Sequence, residues 1–579
     1  MSGDPLRVAA EHLQRGELDQ AERACETALS LRPMHAGALG LAAVIALKKG
    51  DYPRALHRAA LAVQLDPRNP QLQFNHAEAL SANEQFTEAI EAYRRSLKIA
   101  PRNPAAEFGL GYALQMTGDA EEALAAFRRA TILDPQSALA FVNLGAALQR
   151  ASRLDEAQTA LVRAVTLAPE HSEPHYNLGV VLEGKGDFAA AEAEYRAALA
   201  RAPDHVQALN NLGALLERRG RAEEGLKYLA RVLRLAPDFA EAWLNTGNCL
   251  KEQGLFGDAI AAYGRALDLK PDLRDARKNR GLARLTLGDF AGGWRDHQSR
   301  DLTRPPPLRP DGPLPRDLAG KSVLLRREQG VGDEIFFLAF APALAERGAS
   351  LVVEVDRRLA GMIERTGVAA RVVTSPEHAG RVDIDILIAD LPVALEHVAP
   401  IDCPKPLAIP PEPRRVEAMR ARLAKAGPVP YLGVTWCAGV VVDGRFTKMV
   451  PIPILAGALA GKAGSVIALQ RKPAAGEVAG FAAALGRPVA EFSDVNDDLE
   501  DMLALVSLVD EYVAVSNTNV HLRTACGRAT RVLVPHPPEW RLMAEGSASP
   551  WYPLSTLYRQ AASGSWDAAL AQLAIDLGN

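Results

Sequence analysis

The chain has 579 residues, 48% hydrophobic and 23% charged, with 66 basic and 70 acidic side chains and a formal net charge of −4. That apolar share excludes global disorder, and the near balance of charge leaves no electrostatic footprint for nucleic acid or an anionic membrane. The N-terminal stretch lacks the apolar segment of a secretory signal, and the longest apolar run, Ala36–Leu47, is shorter than the ~18 residues of a membrane span. The five cysteines (Cys25, Cys249, Cys403, Cys437, Cys526) never form a C-x-x-C, which argues against a disulfide framework and a structural zinc site. A cytoplasmic protein is expected. At ~150 residues per domain the length predicts roughly four domain-sized units, unless repeats merge some of them.

Prolines recur at Pro33, Pro67, Pro101, Pro135, Pro169, Pro203, Pro237 and Pro271, each 34 residues after the last. Other positions keep the same phase. Small residues suited to close helix packing stand at Ala77, Gly111, Gly145, Gly179, Gly213, Gly247 and Gly281. A glycine between two helices stands at Gly16, Gly50, Gly118, Gly186, Gly220, Gly254 and Gly288. Ala21, Ala55, Ala89, Ala123, Ala157, Ala191 and Ala259 mark the second helix, and Tyr93, Phe127, Tyr195 and Tyr263 follow four residues behind. The period resembles the tetratricopeptide repeat, a helix–turn–helix unit that buries its apolar face only by stacking on neighbours. It predicts an α-solenoid over residues 1–300, with eight full repeats to about 273 and a degenerate ninth.

The sixth position of each repeat, on the inner wall of such a superhelix, holds Asn75, Asn143, Asn177, Asn211, Asn245 and Asn279, interrupted by Gly109 and Leu41. An amide offers two donors and an acceptor, so a column of them can hold an extended polypeptide by its backbone. The column resembles the ladder of protein O-GlcNAc transferases that bear these repeats. Asparagine at this position would equally serve to cap or bridge neighbouring helices.

Residues 301–318, DLTRPPPLRPDGPLPRDL, carry six prolines and read as a stiff connector. From Lys321 the pattern turns α/β. Strands are predicted at Ser322–Arg326, Ser350–Val355, Val382–Ala389, Tyr431–Thr435, Ser465–Leu469, Glu511–Val515 and Val532–Val534, with a helix over Ile335–Arg347. Short apolar strands alternating with helices predict parallel sheets covered on both faces. The proline-flanked helix within Pro410–Pro430 separates two such lobes, 319–425 and 429–579. Ligands of open α/β sheets sit at the carboxyl ends of the strands, so the residues just after each strand carry the information.

After the first predicted strand comes Glu328-Gln329-Gly330-Val331-Gly332-Asp333-Glu334. It opens like a dinucleotide fingerprint, but Ile335 stands where the third glycine belongs, which argues against NAD. Asp333 at a helix N-terminus favours the helix dipole, or acts as a general base toward a hydroxyl. The segment VLLRREQGVGDEIFFLAFAPAL resembles the first strand, loop and helix of GT-B glycosyltransferases related to lipopolysaccharide heptosyltransferases. The resemblance continues through Gly433-Val434-Thr435-Trp436, Lys448 before Pro451, Ile467–Gln470, Ser516–Gly527 and Pro535–Pro553. It implies a GT-B fold of two doubly wound, Rossmann-like lobes, with the acceptor in the first and a nucleotide sugar in the second. Bacterial proteins that place such a domain behind tetratricopeptide repeats include flagellin and other protein glycosyltransferases.

The resemblance makes Asp333 the base and places the donor diphosphate at Lys448, with Gln470, Ser516, Asn517, Thr518 and Asn519 inside its motifs. On physical grounds Lys448 or Arg445 adds a point charge, and His521 in the first turn either bonds phosphate or sugar or is a structural histidine. Independently, Ser516–Asn519 ends a strand and opens a helix, where free amide N–H groups and the helix dipole suit an anion, although the same residues are helix caps. This sequence departs from the family in having Asn517 in place of an acid, and it is one residue shorter before His521, so a sugar other than heptose, or an inactive domain, follows. Trp540 and Trp551 serve as packing or as a stacking platform. Asp383-Ile384-Asp385 spells a D-x-D motif but lies inside an alternating strand, and Asn496–Asp501 reads as a solvated helix start, so no metal is expected.

The reading is therefore a metal-independent protein O-glycosyltransferase without a resident cofactor. A nucleotide sugar serves as co-substrate, and the acceptor polypeptide, flagellin by analogy, is recruited by the repeats, with no nucleic acid and no membrane partner. The alternatives are a non-catalytic adaptor with a degenerate transferase domain, or an enzyme acting on glycolipid or lipopolysaccharide.

Overall fold

The computed structural model describes residues 4–578, apart from 301–311, 329, 398, 400–401, 443–444 and the side chains of 440–447. The chain divides into two compact units, Met1–Leu212 and Gly213–Asn579.

Helices occupy the chain from Pro5 to His297 in consecutive pairs, and the second helix of each pair ends two residues before the recurring proline: Leu31 before Pro33, Leu65 before Pro67, Ile99 before Pro101. Proline lacks the amide hydrogen that would continue the ladder. First helices begin with side-chain caps, as where Asn69 accepts from the amides of Gln71 and Leu72 and Asn103 from those of Ala105 and Ala106. The phase-locked alanines Ala21, Ala55, Ala89, Ala123, Ala157 and Ala191 are fully buried. A Cβ on Gly111 would meet the Phe127 ring at 2.8 Å, and one on Gly179 the Tyr195 ring at 2.7 Å. These small residues therefore let an aromatic of the second helix lie against the first.

The turn inside each pair needs a left-handed residue. Gly50, Gly118, Gly186, Gly220, Gly254 and Gly288 supply it with φ between 73° and 93°. At the two in-phase positions without glycine, Glu84 (φ 60°) and Ser152 (φ 59°) are forced into the same conformation.

The second unit continues the pairs through Phe290–His297 and then becomes α/β. β1 (Ser322–Arg326), β2 (Ser350–Glu354), β3 (Arg371–Val373) and β4 (Ile384–Leu387) form a parallel sheet in the order β3-β2-β1-β4. β5 (Tyr431–Thr435) is followed by an antiparallel hairpin, β6 (Cys437–Val442) and β7 (Arg445–Met449). β8 (Ser465–Ala468), β9 (Val489–Glu491), β10 (Glu511–Val515), β11 (Arg531–Val534) and β12 (Thr556–Arg559) complete a six-stranded parallel sheet in the order β12-β11-β10-β5-β8-β9. Both sheets reverse direction of growth internally, between β1 and β4 in the first and between β5 and β10 in the second. A crevice opens at such switch points.

Each predicted strand is found within a few residues, and β3, β9, β12 and the hairpin are additional to them. The predicted helix Ile335–Arg347 is corrected. It starts at Val331, tightens into a 3-10 turn at Leu338–Phe340 and restarts at Ala341, because Pro342 cannot donate to the ladder. Residues 301–311 of the expected connector lie outside the described residues. The described remainder is docked, not a free spacer: Leu314 and Leu318 are buried, and their amides bond to the carbonyls of Ala394 and Arg347.

One apolar core runs from Phe290 and Trp294, on the last helix of the paired array, through Phe337, Phe340 and Leu344 to Met502, Trp540 and Trp551. Arg300, just past that helix, forms a buried ion triad with Glu328 and Asp390. No helix among the described residues is long and apolar enough to cross a membrane.

Candidate functional site

The loops after the strands at both switch points open on one cleft of about 800 Å³. From the first sheet comes the loop after β1, with Gly330, Gly332 and Asp333. From the second come Thr435 to Gly439 after β5, Lys448 of the hairpin, Leu469 to Lys472 after β8, Ser516 to His521 after β10, and Glu539 and Arg541 after β11. Asp333, Lys448, Gln470, Ser516, Asn517, Thr518, Asn519 and His521 are thus brought together. Arg445 lies in β7, but its side chain is outside the described residues.

Assembly depends on close approach. A Cβ on Gly332 would stand 3.3 Å from the His521 ring and 3.6 Å from the Thr518 hydroxyl, so the loop after β1 runs against the start of the helix Thr518–Ala525. One non-glycine residue that lines the cleft, Lys472 (φ 45°), lies in the left-handed region. Such backbone strain persists only where surrounding structure holds it.

The polar atoms of the predicted residues are mostly engaged with one another, which corrects several expectations. Asn517 caps its helix, accepting from the amides of Asn519 (2.8 Å) and Val520 (3.2 Å), so two of the amides expected to meet an anion are already taken. Gln470 is buried. It accepts from the Cys437 amide and donates to the Cys437 and Arg471 carbonyls, locking β8 to the start of the hairpin rather than reaching a donor. Asn519 donates to Asn496. Ser516 donates to Glu539 at 2.5 Å, and Lys448 pairs with Glu539 and donates to the Ser516 carbonyl. Asp333 caps its own helix through the Gly330 amide and pairs with Arg541.

Glu539 and Arg541 are the residues that sequence reasoning missed in their roles. Both follow β11 by less than ten residues, within the rule that looks just past each strand. Burial alone would raise the Glu539 carboxyl. The charges of Lys448 and Arg541, with the bonds from Lys448 and Ser516, outweigh it and hold the group at about 2. His521 is pushed down to about 4, first by burial and then by the Arg541 charge. It is neutral at physiological pH and lies 3.3 Å from the Tyr552 hydroxyl. Arg358, Arg471 and Lys472 also line the cleft. With Lys448 and Arg541, cations outnumber the two lining carboxylates, Asp333 and Glu539.

Trp540 and Trp551 pack with Trp294, Phe336 and each other at centroid distances of 5.2–5.8 Å and do not line the cleft. Packing is their role here. Asp383 accepts from the Ser322 amide and hydroxyl, and Asp385 pairs with Arg326; neither reaches the cleft. Asp498 caps the helix Leu499–Leu508, and Arg415 clasps Asp498 and Asp501.

The asparagine column is also self-engaged to a degree the sequence did not show. Asn143 and Asn177 donate to carbonyls one helical turn back, Leu139 and Glu173. Asn75 is buried between the Gly40 carbonyl and Gln71, and Asn211 donates to the Tyr195 hydroxyl. In the second unit Asn279 donates to Asn248 at 2.9 Å, and Asn245 is engaged as well. Bridging and capping therefore account for much of the column.

Residues 9–70, 74–138, 142–203, 182–238, 215–273 and 250–293 match the tetratricopeptide repeat family. Residues 9–293 carry tetratricopeptide repeats. A curated relative, Protein FlbA of Caulobacter vibrioides, is 28% identical over 321 residues, 51% of this chain and 53% of its own length. The chain therefore spans about half the length of that relative. Among solved structures, the APC/C hetero-tetramer Cut9–Hcn1 covers 45% of the chain and 52% of its own at 17% identity and a TM-score of 0.38. MamA covers 30% of this chain and 94% of its own at 26% identity and a TM-score of 0.28. YrrB, titled a repeat protein with an unusual peptide-binding site, covers 33% and 100% at 23% identity and a TM-score of 0.29.

Proposed function

We propose that the chain is a glycosyltransferase that moves a sugar from a nucleotide-sugar donor to a serine or threonine hydroxyl of a polypeptide recruited by its tetratricopeptide repeats. The observation that carries this reading is the convergence of Asp333 with Lys448 and the Ser516–His521 helix start on one cleft of about 800 Å³. Two parallel sheets open there at their switch points, where open α/β folds bind ligands. A surplus of lining cations and the positive end of a helix suit a phosphorylated donor. On this reading Asp333 accepts the hydroxyl proton as the oxygen attacks the anomeric carbon. The carbon–oxygen bond to phosphate breaks, and the departing phosphate takes its charge to Lys448 and Arg541. The fold follows the GT-B resemblance, flagellin remains the acceptor suggested by analogy, and a cytoplasmic setting belongs to the same proposal.

Thermal melting of the full chain against UDP-, CMP- and GDP-sugars tests the donor site, with a rise of several degrees expected for one of them. Intact mass of secreted polypeptides from cells carrying Asp333→Asn tests the chemistry, with loss of a glycan mass expected. An unchanged mass removes Asp333 from the mechanism.

A second reading has its own observation. Both cations nearest the proposed phosphate are neutralised by carboxylates, Arg541 by Asp333 and Lys448 by Glu539, as suits a repeat adaptor that binds a nucleotide sugar without turning it over. A melting shift with no glycan difference selects it.

A further inference from the structure

Arg541 is held as a ligand-binding arginine would be. Its guanidinium carbon lies 4.7 Å from the Phe336 ring centroid and 4.4 Å from that of Trp540. The two rings stand nearly perpendicular to each other, at 88°, and wall the guanidinium on two sides, which limits the directions its donors can take. One of them, Nη2, pairs with Asp333. Another, Nε, is buried with no acceptor among the described residues. A buried charged donor left unsatisfied is costly, and an incoming oxyanion is a partner that would relieve it. The planar fork matches phosphate by two parallel bonds. Lys448 lines the same cleft and is likewise paired with a carboxylate, Glu539.

Both Asp333 oxygens are already engaged, one by Arg541 and the other by the Gly330 amide, so an acceptor hydroxyl finds neither of them free. The same pair that holds Arg541 thus opposes the role proposed for Asp333. A ligand that takes Arg541 resolves the conflict, since phosphate and Asp333 compete for one fork.

We propose that Arg541, with Lys448, is a phosphate-binding residue that exchanges its carboxylate partner for the donor's phosphate, so that donor binding releases Asp333 to accept a proton. The inference rests on reading the cleft as a donor site, and it makes Asp333 a competitor of the donor before it is a base. An ordered reaction follows, with the donor first and the acceptor hydroxyl deprotonated only afterwards.

The test is calorimetric titration of the full chain with inorganic pyrophosphate. Arg541→Gln is expected to weaken binding at least about tenfold, the worth of one charge-assisted bond. Asp333→Asn is expected to tighten it up to about fivefold by removing the competitor in a partly exposed pair; a gain of affinity cannot come from misfolding. The double variant is expected to bind like Arg541→Gln alone, because the carboxylate matters only through the arginine. Unchanged or weaker binding by Asp333→Asn overturns the exchange. So does equal tightening by Asp333→Asn in the Arg541→Gln background, which would be a general effect of charge. Wild-type binding that survives Arg541→Gln overturns the inference alone and leaves the donor site standing. A wild-type chain that binds neither pyrophosphate nor any UDP-, CMP- or GDP-sugar overturns both.

Discussion

The paired-helix array and the α/β portion solve the same packing problem by opposite routes. In the array every contact of consequence is between neighbours, and the same positions recur: an alanine under an aromatic, a left-handed turn residue, a proline past the helix end. In the α/β portion the decisive contacts join residues far apart, as in the Arg541–Asp333 pair, whose members are 208 positions apart. Repetition makes a structure redundant and readable. Convergence makes a site, and each of its members is a single residue without a backup.

Trp294 tests where one regime yields to the other. By phase it belongs to the ninth repeat, yet it is 2% exposed and packs on Phe337, Trp540 and Trp551. Trp294→Ala is expected to cost about 4 kcal/mol and to weaken the α/β portion together with the last repeats in urea melts. A loss below about 1 kcal/mol would mean that the array ends independently. Arg300→Met comes next. It would remove the charge that Arg300 sets beside the buried Glu328 and Asp390, at about 3 kcal/mol, read from the same melts.

Glu539 gives a pH-dependent effect. Its folded value of about 2 lies below the ordinary 4.5, so the unfolded chain binds the proton more readily between these values. The stability it contributes is fully present above about pH 4.5 and is lost as pH falls toward 2. Glu539→Gln should flatten that part of the stability profile by up to about 3 kcal/mol, and an unaltered acid limb would show the pair to be loose. The smallest effect belongs to the array. Glu84→Gly or Ser152→Gly should raise stability by about 0.5 kcal/mol each, the relief of a left-handed side chain less the added chain entropy. Equivalent substitutions away from the turns should destabilise.

Much of the cleft was legible. Asp333 and Ser516–Asn519 stand just after strands, and that position in the chain is enough to place them at the mouth of a crevice. Their partners were not legible, because hydrogen bonds among loops depend on how two sheets face each other. Gln470 looked like a ligand residue and is a strut. Glu539 and Arg541, in the loop after β11, pair with Lys448 and Asp333. Trp540 and Trp551, aromatic in a loop, resolve as packing once Trp294 is seen between them. The asparagine column shows the same limit at short range, since a side chain one turn from a carbonyl often bonds to it.

From the amino-acid order alone come the helix pairs, their phase, their turns and the strand-by-strand α/β pattern. All of these follow from proline, glycine and apolar spacing acting over fewer than about forty residues. Only tertiary structure decides which cation meets which carboxylate, how far the core of the α/β portion reaches into the last repeat, and which amides a cap has already claimed. Those outcomes depend on burial and on distances between elements remote in the chain, and local spacing carries no record of them.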